Sequence, residues 1–495
     1  MTKALQHLAD HAWKILALLP LLALLAVQLG GEAALAGLAV ALPLAVLAFG
    51  RKGGPADSGA MSDQVIARLD ATLAEVKASG GTTGCLVIQF DDAAHLCDRL
   101  GRARQSEVLS ACVARLRGAL RPGDLLYTLE DGSLAVALAA SPRLDLEIMV
   151  RIAARLQLVA QQPVTLATGP VQVTCSIGFC VAQQLSQPSG RALLDAAQVA
   201  GDEASACRPG AIRGFSAELA RARADRDGLR AGFAGAVDRG EIRAWFQPQV
   251  STDSGEVTGI EALARWQHPD RGCLAPGAFL PALEGSDLME LLGQTMLTQS
   301  LATLAEFDRK GLMIPTVAVN FSAQELRDPH LPERLGWTLD RFQLAPSRLT
   351  VEVLESVVAG DGEDIIAANI GRIAAMGCNV DLDDFGTGHA SITAIRRFAL
   401  NRLKIDRSFI RDVDQNRDQQ NLVTAILSLA ERLGLATLAE GVETPGEHAL
   451  LAQLGCGHVQ GYVIARPMPV DDLAAWLAAH RETRAQALRI DVKAR

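Results

Sequence analysis

The 495-residue sequence contains no Cys-x-x-Cys pair and no excess of basic residues. Its nine cysteines are scattered and odd in number, which suits reduced thiols and argues against a disulfide framework or a zinc site. Lys and Arg total 47 against 56 Asp and Glu, a net charge of −9. A nucleic-acid polymer is therefore not the expected partner, although a small anionic nucleotide held through a metal is compatible with this charge. Apolar residues, by contrast, are abundant: 49% of the chain, with a mean hydropathy of +0.18. The excess is concentrated in residues 13–49, where "GGE" at 30–32 separates two apolar segments. Each is about 17 residues long, near the lower limit for a membrane span. Lys3 and Lys14 lie on one flank, Arg51 and Lys52 on the other. By the positive-inside rule both ends face the cytoplasm, which predicts a hairpin anchor over residues 1–52 with two transmembrane helices and lipid as a partner. A cleaved signal peptide is the competing reading. The second apolar segment and the lack of a small-x-small cleavage site argue against it.

Residues 53–64 read as a Gly/Pro/Ser linker. Over 65–216, helical and strand patterns alternate: "GCLVIQF" is a buried strand, "LLYTL" and "SLAVALA" are strands around the turn "EDG", and "VQVTCSIGFCVA" is a late strand. This predicts an α+β domain with an antiparallel hairpin near its centre. Residues 217–240 are helical and charged, a connector that overlaps a second domain at 226–482; 483–495 form a tail. In the second domain eight strands, "WFQPQV", "VTGIEAL", "TVAVNFS", "LTVEVLE", "NVDLDD", "RLKID", "ATLAE" and "GHVQGY", mostly have helices between them. The expected fold is α/β, a TIM-type (β/α)8 barrel.

Polar residues recur at the strand ends of this barrel: Gln247, Glu261, Asn320, Glu352, Asp383 with Asp384, Lys404, Glu440 and Gln460. Strand ends converge on one rim in such a barrel, where active sites form. Adjacent acids such as Asp383 and Asp384 raise each other's pKa unless a cation lies between them. A ligand set rich in oxygen and free of histidine suits Mg²⁺ or Mn²⁺.

The segments "EALARW" (261–266), "NFS" (320–322), "EVLE" (352–355), "DDFGTG" (383–388), "KID" (404–406), "EGVE" (440–443) and "QGY" (460–462) resemble the EAL family of bacterial cyclic di-GMP phosphodiesterases. The resemblance implies hydrolysis of cyclic di-GMP to linear pGpG with two divalent cations. It implies that Glu261, Asn320, Glu352 and Asp383 hold one ion, and that Asp383, Asp384 and Glu440 hold the other. Glu261, Lys404 and Glu440 would be catalytic, with Lys404 orienting the attacking water. Glu355 would hold the "DDFGTG" loop, and Gln247, Leu263, Arg265, Glu443 and Gln460 would contact the nucleotide. The implied setting is the bacterial inner membrane, with the catalytic domains in the cytoplasm and a homodimer as the assembly. "GHASI" after the acidic pair and "QGYVIARPMP" depart from the family without removing a ligand.

Residues 65–216 resemble a GGDEF diguanylate cyclase domain, but a degenerate one. Its signature hairpin reads "EDGSL" (130–134), with Glu130 where glycine should admit phosphates. The family's first metal aspartate falls at Gln89, and its guanine contacts fall at Cys97 and Ser106. A regulatory remnant without cyclase activity is expected. Arg121 and Asp124 of "RPGD" resemble the product-inhibition site of such domains, a possible allosteric site. The same residues also read as an ordinary helix end, with basic side chains suited to the dipole and Pro and Gly as stops. The alternative to an enzyme is a receptor that binds cyclic di-GMP in its barrel without hydrolysing it.

Overall fold

The computed structural model describes residues 58–494 except for 92–95, 98–99, 168, 359–363 and 388–394. The expected hairpin at 13–49 lies outside the described residues. Among those residues no helix is long and apolar enough to cross a membrane. The longest, Val470–Ala494, opens on Asp471 and Asp472 and carries arginines along its length. The inner-membrane location, and with it the lipid partner, is therefore withdrawn. The chain divides into two compact units, residues 1–223 and 224–495.

The strands of the first unit are β1 (Gly84–Phe90), β2 (Leu125–Thr128), β3 (Leu134–Ala137), β4 (Val164–Leu166), β5 (Gly169–Val171), β6 (Cys175–Val181) and β7 (Ile212–Gly214). Five of them form one sheet in the order β2-β3-β1-β6-β7. The β2–β3 hairpin, near the middle of the domain's sequence, lies at an edge of the sheet. The stretch 171–182 is also not one strand: β5 turns back on β4, and β6 starts afresh at Cys175. Strand β1 is buried on both faces because its side chains alternate between two cores. Leu86 and Ile88 pack with Leu116, Met149 and Leu156, whereas Cys85 and Val87 pack with Leu69, Leu193 and Ala197. That explains why it reads as a continuous apolar run.

The second unit is an eight-stranded barrel: β8 (Ile242–Ser251), β9 (Val257–His268), β11 (Val317–Asn320), β12 (Leu349–Leu354), β13 (Asn379–Phe385), β14 (Arg402–Ile405), β15 (Ala436–Ala439) and β16 (His458–Val459), with the short β10 (Gly272–Leu274) appended to β9. All eight strands read from the sequence are present. The pairings run parallel from β9 to β16, but β8 is antiparallel to both of its neighbours. The short turn at 252–256 dictates this, because a parallel pairing needs a crossover of a dozen or more residues. Alternation along the strands then assigns the faces. Val317, Val319, Val351, Val353, Val380, Leu382 and Leu403 are buried in apolar clusters. The residues between them (Glu352, Asp381, Asp383, Arg402, Lys404) are buried and polar. The barrel interior is polar where such barrels are usually filled with branched aliphatics.

One contact in the first unit is unusually close. A Cβ added to Gly178 in β6 would lie 1.9 Å from the backbone nitrogen of Gly201 in the helix Gly190–Ala206. The helix backbone therefore rests directly on the sheet. Gly178→Ala is expected to destabilise this domain by about 1–3 kcal/mol, the range for overpacking. The check is the midpoint of its denaturant transition, with Gly118→Ala in the helix Arg102–Ala119, where nothing lies within 4 Å, as the control.

Candidate active site

Four strands aim acids at one ammonium group. Lys404 on β14 is fully buried. Its Nζ lies 2.7 Å from Glu352 on β12, 2.7 Å from Glu440 just after β15, 2.9 Å from Asp383 on β13 and 3.6 Å from Glu261 on β9. Asn320 at the end of β11 spans two of these acids, donating at 3.1 Å to Glu261 Oε1 and at 3.1 Å to Glu352 Oε2. The register explains the convergence, since Asn320 is level with Glu352 across β11 and β12.

Asp383 and Asp384 are adjacent, and regular strand geometry would point them to opposite faces. Here the β13–β14 register shifts between Leu382 and Phe385, and Asp384 takes a left-handed φ of 53°. This bulge is the device that turns both acids toward the site. Carboxylate oxygens of Asp383, Asp384 and Glu440 then lie within 4.8 Å of one another. The following loop is held by Glu355, whose Oε2 accepts from the Gly386 nitrogen at 2.8 Å. Gly386 itself has φ 103°, and a Cβ there would meet the Phe409 ring at 2.5 Å.

The charge balance is uneven. Burial alone would lower the Lys404 pKa, but Asp383, Glu261, Glu352 and Glu440 raise it well above the ordinary lysine value, so it remains an ammonium. Burial, reinforced by Glu261, pushes Glu352 well above the usual carboxylate range. Burial also raises Glu440 to about 8 and, with Asp383 adding repulsion, Asp384 to about 6. Glu261 is the exception: burial opposes its charge, but Lys404 and the amides of Gln460 and Asn320 bring its pKa below the ordinary value. One lysine does not neutralise five acids. The donor set is all oxygen with no histidine, so the residues present fit hard divalent cations.

A cleft of about 680 Å³ opens over these groups, lined by Glu261, Asp383, Asp384 and Glu440 together with Leu280, Met289, Leu292 and Met296. Gln247, Leu263, Asn320 and Gln460 also line it. Arg265 and Glu443 do not. Arg265 lies 5.5 Å from the Trp245 ring centroid, and Glu443 is exposed. Among the lining residues assigned no role from the sequence are Asp406 and Arg407. Asp406 follows Lys404 in "KID" and caps the helix Arg407–Ile410 by accepting from the Ser408 nitrogen at 2.9 Å. Also unassigned was a layer of Asp381, Arg402 and Gln249. Its only sequence signal is that each stands two residues from a site residue, at Asp383, Lys404 and Gln247.

In the first unit, Gln89 donates at 2.9 Å to Asp202. Glu130 and Ser106 are exposed and Cys97 is half-buried. Arg121 and Asp124 bind each other at 3.0 Å, and both also hold the Ala139 backbone.

Two family models match the chain. One, described as the EAL domain, covers residues 231–467, and the other, described as diguanylate cyclase, GGDEF domain, covers residues 64–206. The chain carries a GGDEF domain followed by an EAL domain. MucR of Pseudomonas aeruginosa, named a bifunctional diguanylate cyclase/cyclic di-GMP phosphodiesterase, is 35% identical over 49% of this chain and 35% of its own length. RocR of the same organism, named a cyclic di-GMP phosphodiesterase, is 34% identical over 47% of this chain and 59% of its own length. The chain spans less than two thirds of either relative. The solved EAL enzyme Bd1971, with cAMP and cyclic di-GMP bound, shares the fold with a TM-score of 0.50 at 20% identity, covering 62% of this chain and 82% of that one. The expected homodimer has no support in these comparisons.

The raised acids of the EAL domain give a pH prediction. In the folded chain without cations, Glu440 and Asp384 titrate at about 8 and about 6, above the unfolded values. Their contribution to stability is therefore present below about pH 4 and lost as pH rises through 6 to 8. A divalent cation offsets that loss only where the acids are ionised. The rise in Tm of the EAL domain on adding Mg²⁺ or Mn²⁺ is expected to be larger near pH 8.5 than near pH 5. Equal rises at both pH values would detach cation binding from these acids.

Proposed function

We propose that the protein hydrolyses one phosphodiester bond of cyclic di-GMP, giving linear pGpG, and that two divalent cations assist at the mouth of its barrel. The observation that carries this reading is the convergence of Glu261, Glu352, Asp383 and Glu440 on one buried point beneath an open cleft. The names of MucR and RocR support the substrate. Glu261, Asn320, Glu352 and Asp383 would hold one ion, and Asp383, Asp384 and Glu440 the other. Bound there, the ions supply an activated water and neutralise charge on the phosphoryl oxygens.

The chain's own residues do the rest. Lys404 is held protonated by its acids, so it acts as a fixed positive charge and water-orienting donor rather than as a base. Glu355 keeps the loop after Asp384 in register through Gly386, a supporting contact for the ligands. Gln247, Leu263 and Gln460 line the space for the nucleotide, and the methionines and leucines opposite offer apolar contact to a base. Arg265 and Glu443 would contact substrate only from outside the cleft lining.

The GGDEF domain is proposed to be inactive as a cyclase. Glu130 brings a negative charge to the turn where phosphates would approach. Gln89, in place of a metal aspartate, is engaged with Asp202. Arg121 and Asp124 are committed to each other and to Ala139, which favours a structural pin at the helix end over an allosteric site.

The experiment is incubation of the protein with cyclic di-GMP and Mg²⁺ or Mn²⁺, followed by chromatography. Linear pGpG is expected with either ion, none with excess EDTA, and no cyclic di-GMP from GTP. Binding without product would favour the receptor reading. Glu261→Ala is expected to slow turnover at least ~10²-fold, comparable to removing another key transition-state contact. Lys404→Ala should lower kcat while leaving substrate binding measurable, as expected for an interaction made in the transition state. A raised KM at unchanged kcat would contradict that role.

A further inference from the structure

Beneath the acids around Lys404 lies a second polar layer that the proposed chemistry does not use. Arg402 lies two residues before Lys404 on β14, and Asp381 two before Asp383 on β13. Arg402 donates through Nε at 2.7 Å to Asp381 Oδ2 and through Nη2 at 2.8 Å to Gln249 Oε1. Gln249 Nε2 in turn donates at 2.8 Å to Gln460 Oε1. Gln460 Nε2 donates at 2.6 Å to Glu261 Oε2 and at 3.1 Å to Gln247 Oε1. Gln249 is fully buried, and Gln460 and Asp381 nearly so.

The direction of this chain is forced from one end. A guanidinium only donates, so Gln249 presents its oxygen to Arg402 and its amide nitrogen to Gln460. Gln460 then presents its oxygen to Gln249 and its nitrogen to Glu261. A glutamine amide has nearly the same shape in either orientation, so packing alone does not choose. If Gln460 were turned over, its oxygen would meet the Glu261 carboxylate where both side chains are almost wholly buried, leaving a buried acceptor without a donor.

We propose that Arg402, held by Asp381, is a positioning residue. It sets the polarity of the Gln249–Gln460 amide chain and so aims an N–H at Glu261, fixing the orientation in which that carboxylate faces the cation site. The proposal rests on the reading of Glu261 as a cation ligand. A purely structural role predicts otherwise, because Asp381 and Arg402 would then only fill the barrel as an ion pair.

Gln249→Glu separates the two. The new carboxylate keeps the side-chain shape and gives Arg402 another anionic partner, so a structural role is preserved. It has no N–H for Gln460, whose amide must turn over. By calorimetry on the full chain, Mn²⁺ affinity is expected to fall about 10–100-fold, the range for losing a supporting contact to a metal ligand. The cation-free Tm is expected to fall only modestly, by the loss of one buried hydrogen bond at the turned Gln460 amide. Arg402→Met should give a similar loss of affinity, and Arg402→Lys should restore part of it. Wild-type Mn²⁺ affinity in Gln249→Glu would overturn the proposal. If the wild type binds Mn²⁺ but hydrolyses nothing, the phosphodiesterase reading fails and this comparison still stands. If it binds no Mn²⁺, the Gln460 side-chain amide NMR signal decides: it shifts in Gln249→Glu if Arg402 sets the chain, and an unmoved signal overturns the inference.

Discussion

A fully buried ammonium among four carboxylates is the constraint around which the barrel is organised. Taking Lys404 and its acids out of water is costly, and their attraction offsets that cost only where the geometry is good and the remaining donors and acceptors are met. The barrel answers with amides: Asn320 ties Glu261 to Glu352, and Gln460 ties Glu261 to Gln247. Cohesion comes from the other face of each strand, where Val319, Val351, Leu382 and Leu403 pack into apolar clusters. The polar interior thus serves the site more than it serves stability, and it leaves an excess of negative charge that only protons or cations can balance.

One of the strained backbone positions falls at the same place. Asp384 is a non-glycine residue in the left-handed region, and such residues persist where the surroundings over-determine them. Here the surroundings are the register shift between β13 and β14, the Glu355 contact to Gly386, and a glycine pressed against Phe409. Two adjacent acids on one side of a strand are otherwise inaccessible to β geometry. The strain and the candidate ligand set are therefore one feature.

The two units apply strand alternation in different ways. In the first, β1 sends apolar side chains to both faces and is covered by helices on each, so its sheet is a packing device with the β2–β3 hairpin at an edge. In the second, alternation separates an apolar outside from a polar inside, and the sheet closes because β8 pairs with both β9 and β16. A closed sheet gives its inward side chains a common meeting point, which an open sheet does not.

The sequence by itself determined which segments become barrel strands, because period-two alternation survives in short stretches such as "LTVEVLE" and "NVDLDD" and is read locally. It also determined the acids, since the motif residues stand at strand ends whatever the register. Tertiary structure decided what depends on neighbours distant in the chain. The reversal of β8 follows from a short turn whose consequence appears only on closure. The edge position of the β2–β3 hairpin depends on which strands pair with β1. The inward turn of Asp384 needs a bulge defined against β14. The exclusion of Glu443 from the cleft lining, and the entry of Asp406 and Arg407, follow from where loops fall over the rim, whereas Arg265 stays on β9 beside Trp245. Least legible was the direction of the Arg402–Gln249–Gln460–Glu261 chain. Those residues are 12 to 211 positions apart in the sequence, with Gln249 and Gln460 at the extreme, and only closure of the barrel brings donor to acceptor.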